Sequence, residues 1–492
     1  MRLIRNLFLT RPRALAGILA IAVWASPGDG VPAAGPADGF CLDCLTVRLG
    51  RPLVVRGPFP DELDNHFAAL RLADGSFRGF SANAVTYAID GKHVWSMGGA
   101  RRAVLFPDPE GGVSDCGRWL NSVMRVNGRV YGLVHQERNC NYKVSQTSKS
   151  MGVAVSADEG LTWSGLGTVI SGRDGAAAGR ITGEGDCGWV DGQDGHVYAY
   201  CLRNSDWRTI VARAPATDLD PGNWRKFNDG GWNEDARGGA ATALGFFGTA
   251  AGYLKDFNRV ALIANDPWFG GLRLSVSADK VSFTDLKEPI LPVDEADWKR
   301  PADSDLIAYV SIVNPVDGGN AVGGDFMLAY VYVPPGESFA SRYLVFQDVR
   351  VSMGREPPPS QVGIALTRWK NSDNGAYRSS SGPVVDAAYR HDRPLGYLLT
   401  RQGDAAATIE LMECVGDASD QVRYSLAIDG DCAGEGFRRL RTAGWVHTDP
   451  RPDTLPLYHC LDASERSHFA SNRSDCEGLG AVQSLLGYVL RR

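Results

Sequence analysis

One pattern recurs along this chain at intervals of roughly 50–60 residues: a short apolar strand, a Gly-containing turn, and a second strand rich in aromatic residues. The first copy runs Phe67 to Leu72, turns at Asp74-Gly75, and continues from Phe77 to Phe80. The second runs Trp119 to Met124, turns at Asn127-Gly128, and returns from Val130 to Val134. The third is Gly188 to Val190, a turn over 191–195, and His196 to Tyr200. A more degenerate fourth joins Ala240–Leu244 to Arg259–Ala264, and the fifth joins Leu306–Ser311 to Phe326–Tyr330. Asn-Gly and Asp-Gly turns supply the positive φ that tight hairpins demand. A hairpin alone leaves a face exposed, so repeated hairpins gain stability by stacking radially and burying both faces. The pattern predicts an all-β chain with a five-bladed β-propeller over residues 50–355; a β-sandwich with long insertions is the competing arrangement.

Beyond residue 360 the texture changes. Pro357-Pro358-Pro359 predicts a stiff linker over 356–362. Three segments that follow end alike, in Leu395-Gly396-Tyr397, Ala443-Gly444-Trp445 and Leu486-Gly487-Tyr488. Three copies of about 45 residues suggest a β-trefoil-like module of pseudo-threefold symmetry over 363–492. Its expected role is glycan or cell-wall binding, set against that of a spacer without ligand.

The N-terminus reads as an export signal over residues 1–26. Arg2, Arg5, Arg11 and Arg13 precede an apolar run from Ala14 to Ala25, too short to span a bilayer, and then small residues. An uncleaved anchor is the alternative. Residues 27–49 then form an N-terminal segment. Cleavage would lower the formal net charge from −6 to −10. An acidic surface excludes a nucleic-acid partner, whose phosphates need a basic face. The mature protein is expected to be secreted or periplasmic, off the membrane, and monomeric.

The 10 cysteines fit that compartment. They fall into near-neighbour pairs: Cys41 with Cys44, Cys116 with Cys140, Cys187 with Cys201, Cys414 with Cys432, and Cys460 with Cys476. Such pairs predict local disulfides, although spacing leaves connectivity open. Cys41-Leu42-Asp43-Cys44 has the form of a redox or zinc motif, but no second CxxC or nearby His completes a site. No Walker loop, dinucleotide fingerprint, HExxH or nucleophile elbow occurs, and with 8 His the Ser–His–Asp class is disfavoured. No cofactor is expected; an axial Ca²⁺ is the open possibility.

In a propeller the first strand of each blade lines the axis, so polar residues opening those strands are the informative ones. Acids gather there: Asp61, Glu62 and Asp64 in the first blade, Asp115 in the second, Glu184 and Asp186 in the third, Asp303 and Asp305 in the fifth. Paired carboxylates are what glycoside hydrolysis needs, one kept protonated and the other ionised. His135 and Glu137, two apart on one strand, share a face and could bind sugar hydroxyls or share in proton transfer. Arg118, Trp119 and Asp305 complete the expected substrate contacts, and Trp189, Trp232 and Trp268 are further candidates for stacking on sugar.

Two resemblances sharpen this reading. Ser156-Ala157-Asp158-Glu159-Gly160-Leu161-Thr162-Trp163 resembles the Asp-box of sialidase-type propellers, with a decayed copy at 277–283. The motif implies a structural turn and is nearly silent on chemistry. Sialidase activity would need three convergent arginines, and Arg118, Arg203 and Arg342 are the candidates. The blade order with its acids resembles the five-bladed glycosidases of the arabinanase, β-xylosidase and invertase superfamily. By position that resemblance implies Asp64 as base, Glu184 as general acid and Asp115 as the residue tuning it, with Asp186 able to replace Glu184. The last repeat, from Leu457 to Ser471, resembles a short repeat of unknown function appended to secreted microbial enzymes. A glycoside hydrolase acting on a glycan is thus the leading expectation, and a non-catalytic carbohydrate-binding propeller the alternative.

Overall fold

In the computed structural model of this protein the described residues are 39–58, 61, 63–245, 247–265, 269–417, 422–428, 432, 436–464 and 467–491. The export-signal reading, Glu62 and Trp268 lie outside them. Residues Cys41–Arg492 form one compact unit, and it is built almost wholly of strands.

Five sheets of mainly antiparallel strands follow one another along the chain, the second and third linked by a short parallel pairing of 147–149 with 181–183. The first orders Ala68–Arg71, Phe77–Asn83, Val85–Gly91 and Arg102–Leu105; the second orders Gly117–Val126, Arg129–Asn141, Gln146–Ser156 and Ser164–Ser171. The third begins Ile181–Asp191, His196–Arg203 and Arg208–Pro215, the fourth Ala250–Leu254, Arg259–Asn265 and Leu272–Ser277. The turns are those the sequence asks for: Asn127 and Gly128 have φ of 50° and 77°, the pair of positive values a two-residue hairpin requires. The opening strands touch one another in ring order, the fifth returning to the first.

The fifth sheet is closed from a distance. Leu306–Val313, Asp325–Val333 and Tyr343–Met353 pair in sequence, and the strand beyond them is the N-terminal Leu45–Arg56, with Leu45 opposite Met353 and Arg56 opposite Leu344. The boundary expected at 49/50 therefore falls inside a strand: alternate side chains Leu45, Val47 and Leu49 are fully buried, which holds this segment in the sheet.

Core side chains lie between neighbouring sheets. Leu70, Phe80 and Ala88 of the first meet Leu120, Val134 and Ala154 of the second. Phe67 and Met97 meet Met327 and Phe346 across the first and fifth, Phe67 and Phe346 edge to face at 5.1 Å. Full burial of such a ring contributes about 1.5–3 kcal/mol. At the outer edge of the second sheet Thr162 N–H donates to Asp158 Oδ1 at 2.9 Å, Gly160 N–H to Ser156 Oγ at 2.8 Å, and Trp163 Nε1–H to the Gly160 carbonyl at 3.1 Å. These bonds make Asp158 a turn residue.

All five cysteine pairs expected from spacing are joined. Cys41 bonds Cys44 ahead of the first strand, so this CxxC is neither a zinc site nor a free dithiol. Cys116 bonds Cys140, tying the start of one strand in the second sheet to the end of the next. Cys187 bonds Cys201 across two neighbouring strands of the third sheet. Cys414 bonds Cys432, and Cys460 bonds Cys476, both within the C-terminal region. The last four pairs are structural braces rather than site residues: each closes a loop of 14 to 24 residues, a constraint that stabilises by about 3 kcal/mol.

The C-terminal region is three three-stranded units: Val362–Asn371, Tyr377–Ser380 and Tyr389–Leu399; Thr408–Asp417, Val422–Ile428 and Phe437–His447; Thr454–Asp462, His468–Ser471 and Gly480–Leu490. In each, the first strand pairs with both others. The repeated glycines explain the repeated tripeptides. Gly396, Gly444 and Gly487 have φ of 126°, 148° and 136°. A Cβ on each would lie within 2.7–2.8 Å of the carbonyl oxygens of Leu490, Leu399 and His447 respectively. Each glycine thus lets one unit press its backbone on the next, and the contacts close in a cycle.

Residues 356–362 do not swing as a tether. Ser360 Oγ and Val362 N–H donate to the Glu288 carboxylate at 3.0 and 2.9 Å, and residues 362–364 pair in parallel with 47–49. The proline run ends in strand pairing, so the region is docked.

Candidate functional site

Three of the opening strands carry a register break: 120/122, 185/188 and 308/311. A bulge re-aims the residue it inserts. In the third sheet that residue is Asp186, in the fifth Tyr309, and both have φ of 53°. A bulky residue in left-handed backbone is strained, and such strain concentrates where a side chain must point somewhere particular.

Asp186 meets two neighbours from the second sheet. Lys149 Nζ donates to its Oδ2 at 2.7 Å, and the Asp186 backbone N–H donates to His135 Nδ1 at 3.0 Å. An N–H can only donate, so His135 Nδ1 accepts and the proton of the neutral ring sits on Nε2. That Nε2–H faces Glu137 Oε1 at 3.1 Å, while the Tyr142 hydroxyl donates to Oε2 at 2.5 Å. His135 and Glu137 are 3% and 7% exposed, so the pair expected from alternation is on one face and inside. Burial pushes the Glu137 carboxyl up, but His135, Lys149 and Tyr142 outweigh it and hold the group below its usual range. Burial likewise opposes ionisation of Asp186, and the Lys149 ammonium overcomes it, leaving this carboxyl well below normal. Lys149, flanked by Asp186 and Glu137, is kept charged in spite of its burial.

Asp64 behaves oppositely. Tyr309 Oη donates to its Oδ1 at 3.2 Å and Arg342 Nη1 lies at 3.4 Å. Burial raises its pKa, Arg342 restrains the rise, and the Glu137 charge adds to it. His66, two residues on, donates through Nδ1 to the Val310 carbonyl at 2.8 Å and places Nε2 3.0 Å from Thr249 Oγ1; burial lowers its pKa and keeps it neutral.

Above this floor opens a cavity of about 270 Å³ whose lining includes His66, Lys149, Asp186 and Tyr309. Its wall is an aromatic arc. Ring centroids step from Trp207 to Phe247 at 6.2 Å, to Phe269 at 5.2 Å, to Trp298 at 4.8 Å and to Tyr309 at 6.4 Å. Trp207 and Phe269 also have positive φ, 56° and 62°. With Ser145 at φ 56°, five lining residues therefore sit on strained backbone.

Several expected residues lie elsewhere. Glu184 does not share the cavity with Asp186, because the bulge at 185–188 breaks the alternation that would align them. It is buried against Lys226, 2.7 Å away, and burial raises its carboxyl to about 7. Asp115 accepts from the Gly111 N–H at 3.0 Å in the loop before its strand. Arg118 is held by Asp108 and Ser114. Trp119 packs edge-on beneath His135 at 5.4 Å, supporting the ring without lining the cavity. Asp305 turns away from the axis to Arg441 of the C-terminal region, at 2.8 Å. Asp61 is bound by Arg56 and Arg101, and Asp303 is exposed. Trp189 stacks in the core on Trp224, and Trp232 lies under Arg213. Arg118, Arg203 and Arg342 bind Asp108, Asp206 and Asp64 separately, so no arginine triad forms from them.

Among the described residues no group of three or more His, Cys, Asp or Glu converges as metal ligands. Between Glu137 and Asp186 the cation is the Lys149 ammonium, so these two carboxylates do not fit an axial Ca²⁺ site. Lys149, Tyr309, Thr249 and the arc from Trp207 to Trp298 escaped sequence reasoning. The aromatics come from separate connecting segments, and the one usable signal was Trp207 and Trp298 beside Asp206 and Asp297 in polar stretches.

No protein family's sequence profile matches this chain, and no curated protein matches it in sequence. Among solved structures it is similar to an alpha-L-arabinofuranosidase from Lactobacillus brevis, at 11% identity over 59% of this chain and 92% of that one, TM-score 0.41. A family 117 glycoside hydrolase from Zobellia galactanivorans matches at 10% identity, 63% and 91% coverage, TM-score 0.42. An endo-arabinase from Bacteroides thetaiotaomicron matches at 12% identity, 62% and 100% coverage, TM-score 0.39.

Proposed function

We propose that the five sheets are the blades of a β-propeller and that the axial cavity hydrolyses a glycosidic bond, with Asp64 and Asp186 as the carboxylate pair. The observation that carries the reading is their opposed electrostatics: burial raises Asp64, while the Lys149 ammonium holds Asp186 ionised. Two carboxyl groups pushed apart in pKa divide into acid and base. Asp64 gives its proton to the leaving oxygen, with the Tyr309 hydroxyl, bonded to Asp64 and lining the cavity, as relay. Asp186 faces the anomeric centre and takes a proton from the attacking water; the glycosidic C–O bond breaks as the water's C–O bond forms. The proton on Asp186 then returns to solvent and Asp64 is recharged from it. Lys149 fixes the Asp186 carboxylate, His135 receives the backbone beneath it, and the aromatic arc packs on the apolar C–H face of the sugar.

Reducing-sugar release across arabinans, xylans, fructans and sialoglycans tests this. Turnover is expected on one neutral glycan class, lost in Asp186→Asn and Asp64→Asn and kept in Glu184→Gln. Full activity in Asp186→Asn refutes the assignment. A second reading has its own support: the 2.7 Å ammonium contact occupies Asp186 Oδ2 and dulls it as a base. On that reading the cavity binds the glycan without turnover, and calorimetry would record binding where the sugar assay records none.

A further inference from the structure

A groove of about 1010 Å³ runs along the seam between the fifth sheet and the C-terminal region. Its floor is the stretch where Tyr343–Met353, Leu45–Arg56, Val362–Asn371 and Tyr389–Leu399 lie side by side. Arg48 crosses that floor next to Tyr397. The two flank Gly363, where an added Cβ would sit 3.1 Å from Arg48 Cδ and 3.2 Å from Tyr397 Cβ.

Arg48 is incompletely satisfied. Its Nη1 donates to the Val47 carbonyl at 3.0 Å and the Gln361 carbonyl at 3.4 Å. Its Nε is out of solvent with no hydrogen-bond partner. Among the described residues no carboxylate pairs with it, whereas Arg350 on the rim is paired with Asp325 at 2.8 Å. Burial lowers the Arg48 pKa, opposed by the fields of Tyr397 and Glu288. A guanidinium short of an acceptor matches a carboxylate in charge and in fork geometry. The half-buried Tyr397 ring beside it offers a flat apolar face with a polar tip.

We infer that this groove binds an acidic polysaccharide, a uronate-bearing chain whose carboxylate is taken by Arg48 and whose sugar ring packs on Tyr397. The site is separate from the axial cavity and stands whether or not that cavity hydrolyses its ligand. Bulk attraction does not produce such binding, because the chain carries a formal charge of −6 and repels polyanions as a whole.

Affinity electrophoresis of the full chain in native gels containing polygalacturonate, with neutral arabinan as the parallel gel, reads the proposal. Retardation is expected in polygalacturonate alone. Arg48→Gln and Tyr397→Ala should each reduce it on the order of tenfold, Arg48→Lys in part because it keeps charge without the fork. Asp186→Asn should leave it intact, which separates this site from the axial one. Tyr397→Ala removes a half-exposed ring, so it carries the test if Arg48→Gln does not fold. Unchanged mobility in polygalacturonate, equal retardation in arabinan, or full retardation in the folded Arg48 and Tyr397 variants each overturns it.

Discussion

Among the described residues, the cluster of buried charge at the axis and the one around Glu413 in the C-terminal region differ in what surrounds them. In the C-terminal region Glu413, 0% exposed, takes bonds from Arg378 at 2.7 Å and from Arg441 Nε at 2.8 Å, and Arg441 continues to Asp305 at 2.8 Å. Every charge there ends on another protein group. At the axis, Glu137, Lys149 and Asp186 are also paired, but Lys149 and Asp186 border an aromatic-walled cavity and Asp186 hangs from strained backbone. Burial and shifted pKa values mark both clusters. An aromatic wall and strained backbone mark one, and that is the one shaped to hold a ring.

Breaking each cluster should therefore break different things. The largest effect is expected from Asp186→Asn: glycan turnover falls by about 10³-fold, about 4 kcal/mol in transition-state terms, with thermal midpoint moved by only a few degrees. Next comes Glu413→Gln, which leaves two buried guanidinium groups facing each other. Urea unfolding should record a loss of about 3–5 kcal/mol, with turnover per folded molecule unchanged. If Glu413→Gln instead abolished turnover in folded protein, the contrast between the clusters would be wrong. Gly444→Ala tests the cyclic backbone contacts, since it adds a Cβ at φ 148° against the Leu399 carbonyl. A loss of about 1–3 kcal/mol in the same assay is expected.

The smallest effect is in pH dependence. The folded chain raises Glu184 from 4.5 to about 7, so its contribution is full below 4.5 and is lost as pH rises through 7. Asp186 is depressed below 3.8, so its contribution is present above that value and is lost as pH falls beneath it. Melting midpoints should peak between these limits, and Glu184→Gln should flatten the alkaline limb alone.

The turns were legible because Asn-Gly and Asp-Gly write their conformation locally, and the disulfides because their cysteines stand 3–24 residues apart. His135 and Glu137 were legible for a similar reason: strand alternation alone puts them on one face. Asp64 lies ahead of its strand and was singled out by its place at the opening of the first sheet. Glu184 was misplaced because a bulge is invisible to a period-two argument, and Gly185 and Gly188 were the only hints of it. Asp305 was misplaced because its partner, Arg441, is more than a hundred residues away. The aromatic arc is assembled from four connecting segments, each ordinary by itself. The N-terminal strand left no trace for the same cause, since its partners come last.

That strand has a temporal consequence. Residues 45–56 are made well before their hydrogen-bonding neighbours, residues 344–353 on one side and 362–364 on the other. During synthesis this strand must wait, unpaired, until some three hundred further residues have emerged. The fifth sheet is completed late, by a long-range pairing that is slow on entropic grounds. A C-terminal truncation before residue 344 would then leave a sticky strand without its mate, and a factor that shields such edges would be needed most at that stage.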